Sequence, residues 1–337
     1  VNWVMQKLRQ RALIADDVGL GKTIEAGLIL KELTARNRAD RVLFVVPAHL
    51  QKKWIRDMDR FFDISLTPGD RQWVEGERRR LGEEANIWNQ DRQQMVASMA
   101  FLRQEEFRDE LDNAFWDVVV VDEAHKAAKR GESPSKTSKM VERVADNSDS
   151  LLLLSATPHD GKGDAFRSLV EYIDPFLVVE DQELSKEAVD RVMMRRGKQT
   201  IYDDNGERIF PNREVGTIPV ERTHEERQFY QAVTEYVKHV YNRSEQLNEP
   251  AVGFAMALMQ KRLVSSIGAI KATLSRRLAN LVDQQSTATS LSEEATAYLE
   301  GEDLDEEDKQ KAEEELAGLT ITESDAQLEE EIETLRD

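Results

Sequence analysis

Five stretches in the first half of the chain are apolar almost without a break: ALIAD (12–16), RVLFVV (41–46), ANIWN (85–89), DVVVVD (117–122) and SLLLLSA (150–156). Strands exposed on one face alternate apolar and polar residues, whereas strands covered on both faces read as solid apolar runs. Amphipathic helical stretches separate the runs, among them residues 22–35, 49–62 and 135–146. Strand, helix, strand at these lengths predicts an α/β fold built on a doubly wound parallel sheet, up to about residue 184. Ligands of such sheets sit at the carboxyl ends of the strands. The chemistry-bearing residues are therefore expected just after each apolar run.

The first such place reads DDVGLGKTIEAG (16–27). A strict phosphate loop, G-x-x-x-x-G-K-[ST], has Gly where Asp16 stands, but Gly19, Leu20, Gly21, Lys22 and Thr23 are intact. Glycines let successive backbone N–H groups turn around phosphate oxygens at the positive end of a helix. Lys22 would bridge the β- and γ-phosphates of ATP, and Thr23 would offer its hydroxyl to Mg²⁺. About 100 residues on, a buried-strand run ends in Asp122-Glu123-Ala124-His125. A carboxylate at the end of a neighbouring strand would face the loop. Asp122 suits Mg²⁺, directly or through water, and Glu123 suits orienting and deprotonating a water. Ser155 and Thr157 follow the next apolar run. If the strands are neighbours, their hydroxyls lie near Asp122 and Glu123. The two motifs together point to nucleotide hydrolysis rather than to a helix start that happens to read GKT.

These residues carry a family resemblance. DDVGLGKTIEAG, FVVPAHLQKKW (44–54), VVVDEAH (119–125, a DEAH box) and LLLLSATPHDGK (151–162) resemble motifs I, Ia, II and III of superfamily-two ATPases, and the Asp-containing loop resembles the Swi/Snf form. MMRRGKQ (193–199), residues 218–237 and residues 260–278 are similar to the RapA-like bacterial and archaeal branch. The resemblance implies a RecA-like ATP-binding helicase domain over 1–184, a helical insertion over 185–282 and an acidic segment over 283–337. It implies a motor on double-stranded DNA using ATP and Mg²⁺, with His125, Ser155 and Thr157 coupling hydrolysis to movement. Pro47, Ala48 and His49 would lie by the DNA backbone, as would Ser98. Lys52, Lys53 and Arg56 suit a phosphate-binding surface and a solvated helix face equally well. Arg195 and Arg196 match an arginine pair for which DNA contact and structural ion pairing remain open.

Two parts of the family pattern are missing: the adenine-reading glutamine motif, and motifs IV to VI of a second RecA-like domain. No Q-x-x-G-R-x-x-R pattern stands in the 337 residues. An arginine finger is worth about 10³–10⁵ in rate. The chain is thus expected to bind ATP–Mg weakly and hydrolyse it slowly or not at all, its partner being a second RecA-like domain of the same polypeptide. The absence of an initiator Met fits a chain cut from something longer. A strand-separating helicase, a restriction-enzyme motor subunit and a non-catalytic adaptor with a vestigial ATP site are the competing functions. RNA polymerase and defence-system proteins are the candidate partners.

The net charge of −19 argues against nucleic acid only until it is placed. Residues 283–337 hold 20 of the 65 acidic and 3 of the 46 basic side chains, so the remainder is nearly neutral. This segment is expected to be disordered or loosely helical, as a solvated linker or a mimic of DNA. Upstream of it, residues 201–220 predict a hairpin around Asn205-Gly206. Residues 223–241 and 251–282 predict helices. The second has an apolar face of Leu258, Leu263, Ile267, Ile270, Leu274, Leu278 and Leu281, with Lys261, Arg262, Lys271, Arg276 and Arg277 off it. With no cysteine, no signal peptide and no run of roughly 20 apolar residues, a cytoplasmic protein without a membrane segment is expected.

Overall fold

In the computed structural model the described residues are 1–129, 134–158, 163–179, 182–211, 215–219, 221–246, 250–282, 291–299, 306–317, 319 and 325–336. The chain divides into two compact units, Val1–Arg213 and Glu214–Asp337.

The first unit carries seven strands: β1 (Arg11–Ile14), β2 (Arg41–Val46), β3 (Thr67–Gly69), β4 (Gln93–Ser98), β5 (Trp116–Val121), β6 (Ser148–Leu154) and β7 (Met193–Met194). All pair in parallel, in the order β3-β4-β2-β5-β6-β1-β7. Its helices are α1 (Asn2–Met5), α2 (Lys22–Ala35), α3 (Gln51–Phe62), α4 (Arg71–Leu81), α5 (Met99–Leu102), α6 (Arg108–Asp112), α7 (Lys136–Asp146), α8 (Gly163–Ile173) and α9 (Lys186–Val192). The solid apolar runs are explained by cover on both faces. Leu13, Leu43, Val45, Val119, Val121, Leu151 and Leu153 face one core, with side chains of α7 and α8. Ala12, Ile14, Val42, Phe44, Val118, Val120, Leu152 and Leu154 face the other, with α2 and α3.

Four findings depart from the sequence reading. Residues 85–89 form turns rather than a strand. Their apolar character comes from Ile87 and Trp88, fully buried within a core cluster where Trp88 packs on Trp73 and Phe107 at ring centroid distances of 4.8 and 5.5 Å. The strand next in line is β4, whose opening Gln93 and Gln94 hide its apolar second half. Second, β5 and β1 are not adjacent: β6 lies between them. Third, the first unit continues past residue 184, because β7 adds to β1 at the sheet edge. Fourth, a short edge strand, β3, contains Pro68, a residue tolerated only where no ladder donor is required.

At the amino edge of the sheet, Arg11 donates to the carbonyls of Ala145, Ser148, Tyr172 and Ile173, at 2.6–3.1 Å. These lie at or just beyond the carboxyl ends of α7 and α8, where helix carbonyls lack partners. Burial lowers the Arg11 guanidinium to about 10.

The second unit is helical: α10 (His224–Gln246), α11 (Pro250–Ser265), α12 (Ile267–Val282), α13 (Glu293–Leu299), α14 (Glu306–Ala317) and α15 (Asp325–Arg336). The helix expected over 251–282 is two, separated at Ser266. The described part of the acidic segment is helix docked on helix: Ala295, Ala312 and Leu316 join Val237, Met256, Met259 and Ile270 in one core. The buried stripe of α12 holds Ile270, Thr273, Arg277 and Leu281, so Arg277 lies within the core and Ile267 outside it. Arg277 is admitted because partners surround it: Glu331, the Tyr236 hydroxyl and the Leu319 carbonyl. Arg262 pairs with Glu313 at 2.7 Å and Arg276 with Glu314 at 2.8 Å. Of the hairpin expected over 201–220, the described residues show a turn at 203–206 closed by the single bridge Tyr202–Arg208. Residues 212–214 and 220 lie outside the described residues, as do 283–290 of the tail.

Candidate nucleotide site

The sheet register brings the motif residues to one edge. Ile14 pairs with Leu154, Val121 with Leu153, Val45 with Val121 and Val46 with Ser98. Asp16–Thr23, Asp122–His125, Ser155–Thr157 and Pro47–His49 therefore all leave the same carboxyl edge.

In the loop, Gly19 and Gly21 have φ of 84° and 88°, a left-handed backbone that L side chains rarely adopt. The Leu20 amide closes a turn on the Asp17 carbonyl at 3.2 Å. Gly21 is the N-cap of α2 and offers no side-chain cap, so the first-turn amides remain available to an acceptor. An anion is the partner such amides and the helix dipole favour. Lys22 Nζ donates to the Asp16 carbonyl at 2.7 Å. This holds the ammonium at the loop in a contact a phosphate can displace.

Beside the loop, α3 supplies two side chains. Lys53 Nζ approaches Thr23 Oγ1 at 3.4 Å, and the fully buried Trp54 donates its indole N–H to Asp122 Oδ2 at 2.8 Å. The other oxygen of Asp122 accepts the Glu123 amide at 2.9 Å. Glu123 sits at φ 48°, an uncommon conformation for a residue with a side chain. His125 Nδ1 lies 3.4 Å from Glu123 Oε2 and 3.1 Å from Ser155 Oγ, and Ser155 Oγ accepts the Thr157 amide at 3.2 Å. A polar chain thus runs from Glu123 through His125 to the end of β6. It exists because β6 separates β5 from β1, an order the sequence does not reveal. The last four residues of the third motif, 159–162, lie outside the described residues.

Hard oxygen donors and few protein ligands are what Mg²⁺ takes when substrate phosphates complete its shell. Thr23 Oγ1 and the Asp122 carboxylate are of that kind. Among the described residues no group of three or more His, Cys, Asp or Glu is placed to cage a metal alone.

Sequence reasoning missed what Asp16 does. It is fully buried and accepts the Arg196 amide at 2.8 Å and Nε at 2.9 Å, with the Arg196 terminal nitrogen closer still and reaching Glu25 as well. The hydrogen bond to Asp16, with that to Glu25, raises the Arg196 pKa. Asp17 Oδ2 accepts the Lys198 amide at 2.9 Å, the Asp17 amide donates to the Arg196 carbonyl at 3.0 Å, and the Ala15 amide to the Met194 carbonyl at 2.7 Å. The signal was present as an acid standing where the strict loop has Gly. Arg195 and Arg196 are both exposed, but Arg196 is held in an ion pair. The remaining DNA-contact candidates divide. Ser98 is buried and caps α5, accepting the Phe101 amide at 3.1 Å. Pro47, Ala48 and His49 begin a short 3-10 turn, in which His49 is exposed. Lys53 and Arg56 pair with Asp57, each at 3.1 Å.

The SNF2-related domain profile matches residues 1–267. The RNA polymerase-associated protein RapA of Yersinia pestis (strain Pestoides F) is 34% identical over 209 residues, which cover 60% of this chain and 21% of the relative. The RapA of Yersinia pseudotuberculosis serotype O:1b gives the same values. The chain spans about a fifth of the length of these curated relatives. Among solved structures, the Sulfolobus solfataricus SWI2/SNF2 ATPase core in complex with dsDNA is 20% identical, with a TM-score of 0.46 and coverage of 77% of this chain and 55% of that one. The Pyrococcus furiosus Hef helicase domain is 13% identical, with a TM-score of 0.41 and coverage of 91% and 64%. With a profile match over most of its length, this chain belongs to the SNF2-related domain family, that is, to the Swi/Snf-type superfamily-two ATPases.

Proposed function

We propose that the first unit binds Mg–ATP at the carboxyl edge of the sheet and is the hydrolytic half of a motor that moves on double-stranded DNA. The convergence of the Gly19–Thr23 loop, Asp122-Glu123 and Ser155 on one sheet edge carries this reading. In it, the loop amides and Lys22 hold the phosphates, and Thr23 and Asp122 hold Mg²⁺. The metal, when bound, neutralises phosphate charge and orients the phosphoryl group for in-line attack. Glu123 takes the proton of the attacking water. His125, Ser155 and Thr157 pass the state of the site to the end of β6. The exposed Arg195 and His49 remain the candidates for duplex contact, whereas the ion pairing of Arg196 and the capping role of Ser98 favour structural duties for those two.

No side chain of the Q-x-x-G-R-x-x-R kind is available, so turnover by this chain alone is expected to be slow. Binding is therefore the decisive measurement. Titration with a fluorescent ATP analogue and Mg²⁺ is expected to saturate, and Lys22→Ala is expected to weaken it at least tenfold, the scale of one charge-assisted contact. Binding unaltered by Lys22→Ala would favour an adaptor with a vestigial site. Association with RNA polymerase, stated in the name of the relatives, makes the polymerase the first partner to test by co-purification.

A further inference from the structure

The segment after β7 brings a further ammonium group to the phosphate loop, on the side of Gly19. Lys198 Nζ lies 3.5 Å from the point that a side chain at Gly19 would occupy, at the crest of the loop. Among the described residues no carboxylate pairs with this ammonium, and it lies 5.5 Å from the centroid of the Phe210 ring. Its position is built rather than incidental. Four backbone amides tie residues 15–17 to residues 194–198: those of Ala15 and Asp17 donate to the Met194 and Arg196 carbonyls, and those of Arg196 and Lys198 donate to the Asp16 and Asp17 carboxylates. The two acids of the loop thus fasten this strap, and the strap ends at the lysine.

We infer that Lys198, held over Gly19 by the Asp16–Arg196 and Asp17–Lys198 contacts, is a second phosphate-binding cation for the nucleotide. This rests on the nucleotide reading proposed above. The crest of a phosphate loop cradles the α- and β-phosphates, while its own lysine reaches the β- and γ-phosphates. Lys198 is therefore assigned to the β-phosphate, which nucleoside di- and triphosphates share and AMP lacks. This also gives the Asp16 and Asp17 carboxylates a task, since they add side-chain anchors for the strap to those of the backbone.

The test is calorimetric titration of the full chain with Mg–ADP, Mg–ATP and AMP. Lys198→Ala and Lys198→Gln are expected to weaken ADP and ATP alike by about tenfold, with Lys198→Arg recovering most of the loss. AMP affinity and the unliganded melting temperature should stay unchanged, which a merely structural role would not give. ADP and ATP affinities within twofold of wild type in Lys198→Ala, with Lys22→Ala binding lost, would overturn this inference alone. A wild-type chain that binds no nucleotide would overturn both it and the nucleotide reading.

Discussion

Trp54 is fully buried, yet its indole N–H ends on the carboxylate of Asp122 rather than on backbone. Its ring meanwhile packs on Phe44, centroids 5.0 Å apart. Trp54→Phe keeps most of the packing and removes the donor. We expect roughly tenfold weaker Mg²⁺-dependent nucleotide affinity, the usual effect of losing a partner that orients a metal ligand. Affinity measured with EDTA should be unchanged. The gathering of the candidate residues was largely legible: Gly19, Lys22, Thr23, Asp122 and Glu123 were singled out because phosphate and Mg²⁺ chemistry calls for those types at the ends of apolar runs, and those ends share one sheet edge. The contacts of Trp54, Arg196 and Lys198 were not, because they join residues far apart in the chain. Nothing local to MMRRGKQ says that its second arginine meets Asp16.

At the scale of elements, α2 and α3 approach closely at Gly27. A methyl group there would come within 2.1 Å of the Phe62 ring, although φ at this position is ordinary. Gly27→Ala gains helix propensity of up to about 1 kcal/mol but forces the ring or α3 to move, an overpacking cost of about 1–3 kcal/mol. We expect net destabilisation in urea melts, and weaker nucleotide binding because α3 carries Lys53 and Trp54. In the second unit, α15 is fixed by Glu331 on the buried Arg277 at 2.7 Å. Glu331→Ala leaves a charge without its counterion in the core, and breaking a buried pair costs about 3–5 kcal/mol. Hydrogen exchange should show α15 and α12 losing protection together. Three helices of the first unit, α2, α3 and α7, were read nearly to their ends, while α4, α6, α8 and α9 were not singled out. Trp88 misled because full burial in a turn looks, in sequence, like burial in a strand. Arg277 misled for the converse reason: hydropathy cannot foresee a guanidinium whose partners come from α10 and α15.

For the whole molecule, acidity acts with opposite signs at Glu25 of the first unit and at Glu313 and Glu314 of the second. Burial disfavours the charge of Glu313, but hydrogen bonds from Tyr298 and Arg262 outweigh it and hold its carboxyl below 4.5; Gln310 and Arg276 do the same for Glu314. A depressed carboxyl contributes stability that is complete above its unfolded value and is lost as pH falls through the folded one. In the first unit, burial raises Glu25 above 4.5 despite Arg196, so its contribution declines as pH rises through that window. Acid titration followed by hydrogen exchange should therefore loosen α14 below about pH 4.5. Over the same range the contribution of Glu25 favours the fold. Composition made the tail look solvated; its docking on α11 and α12 was hidden because the partners of its acids are buried or half-buried arginines. The strap from β7 to the loop has a further consequence, for synthesis. A nascent chain that has emerged only to residue 184 already holds every residue of the ATP motif, yet Asp16 is a buried carboxylate whose cation is still in the ribosome. The candidate nucleotide site is thus finished by one of the last parts of its unit to be made. A chaperone or protease surveying the emerging chain would meet an unclosed sheet edge at β1 until Arg196 arrives.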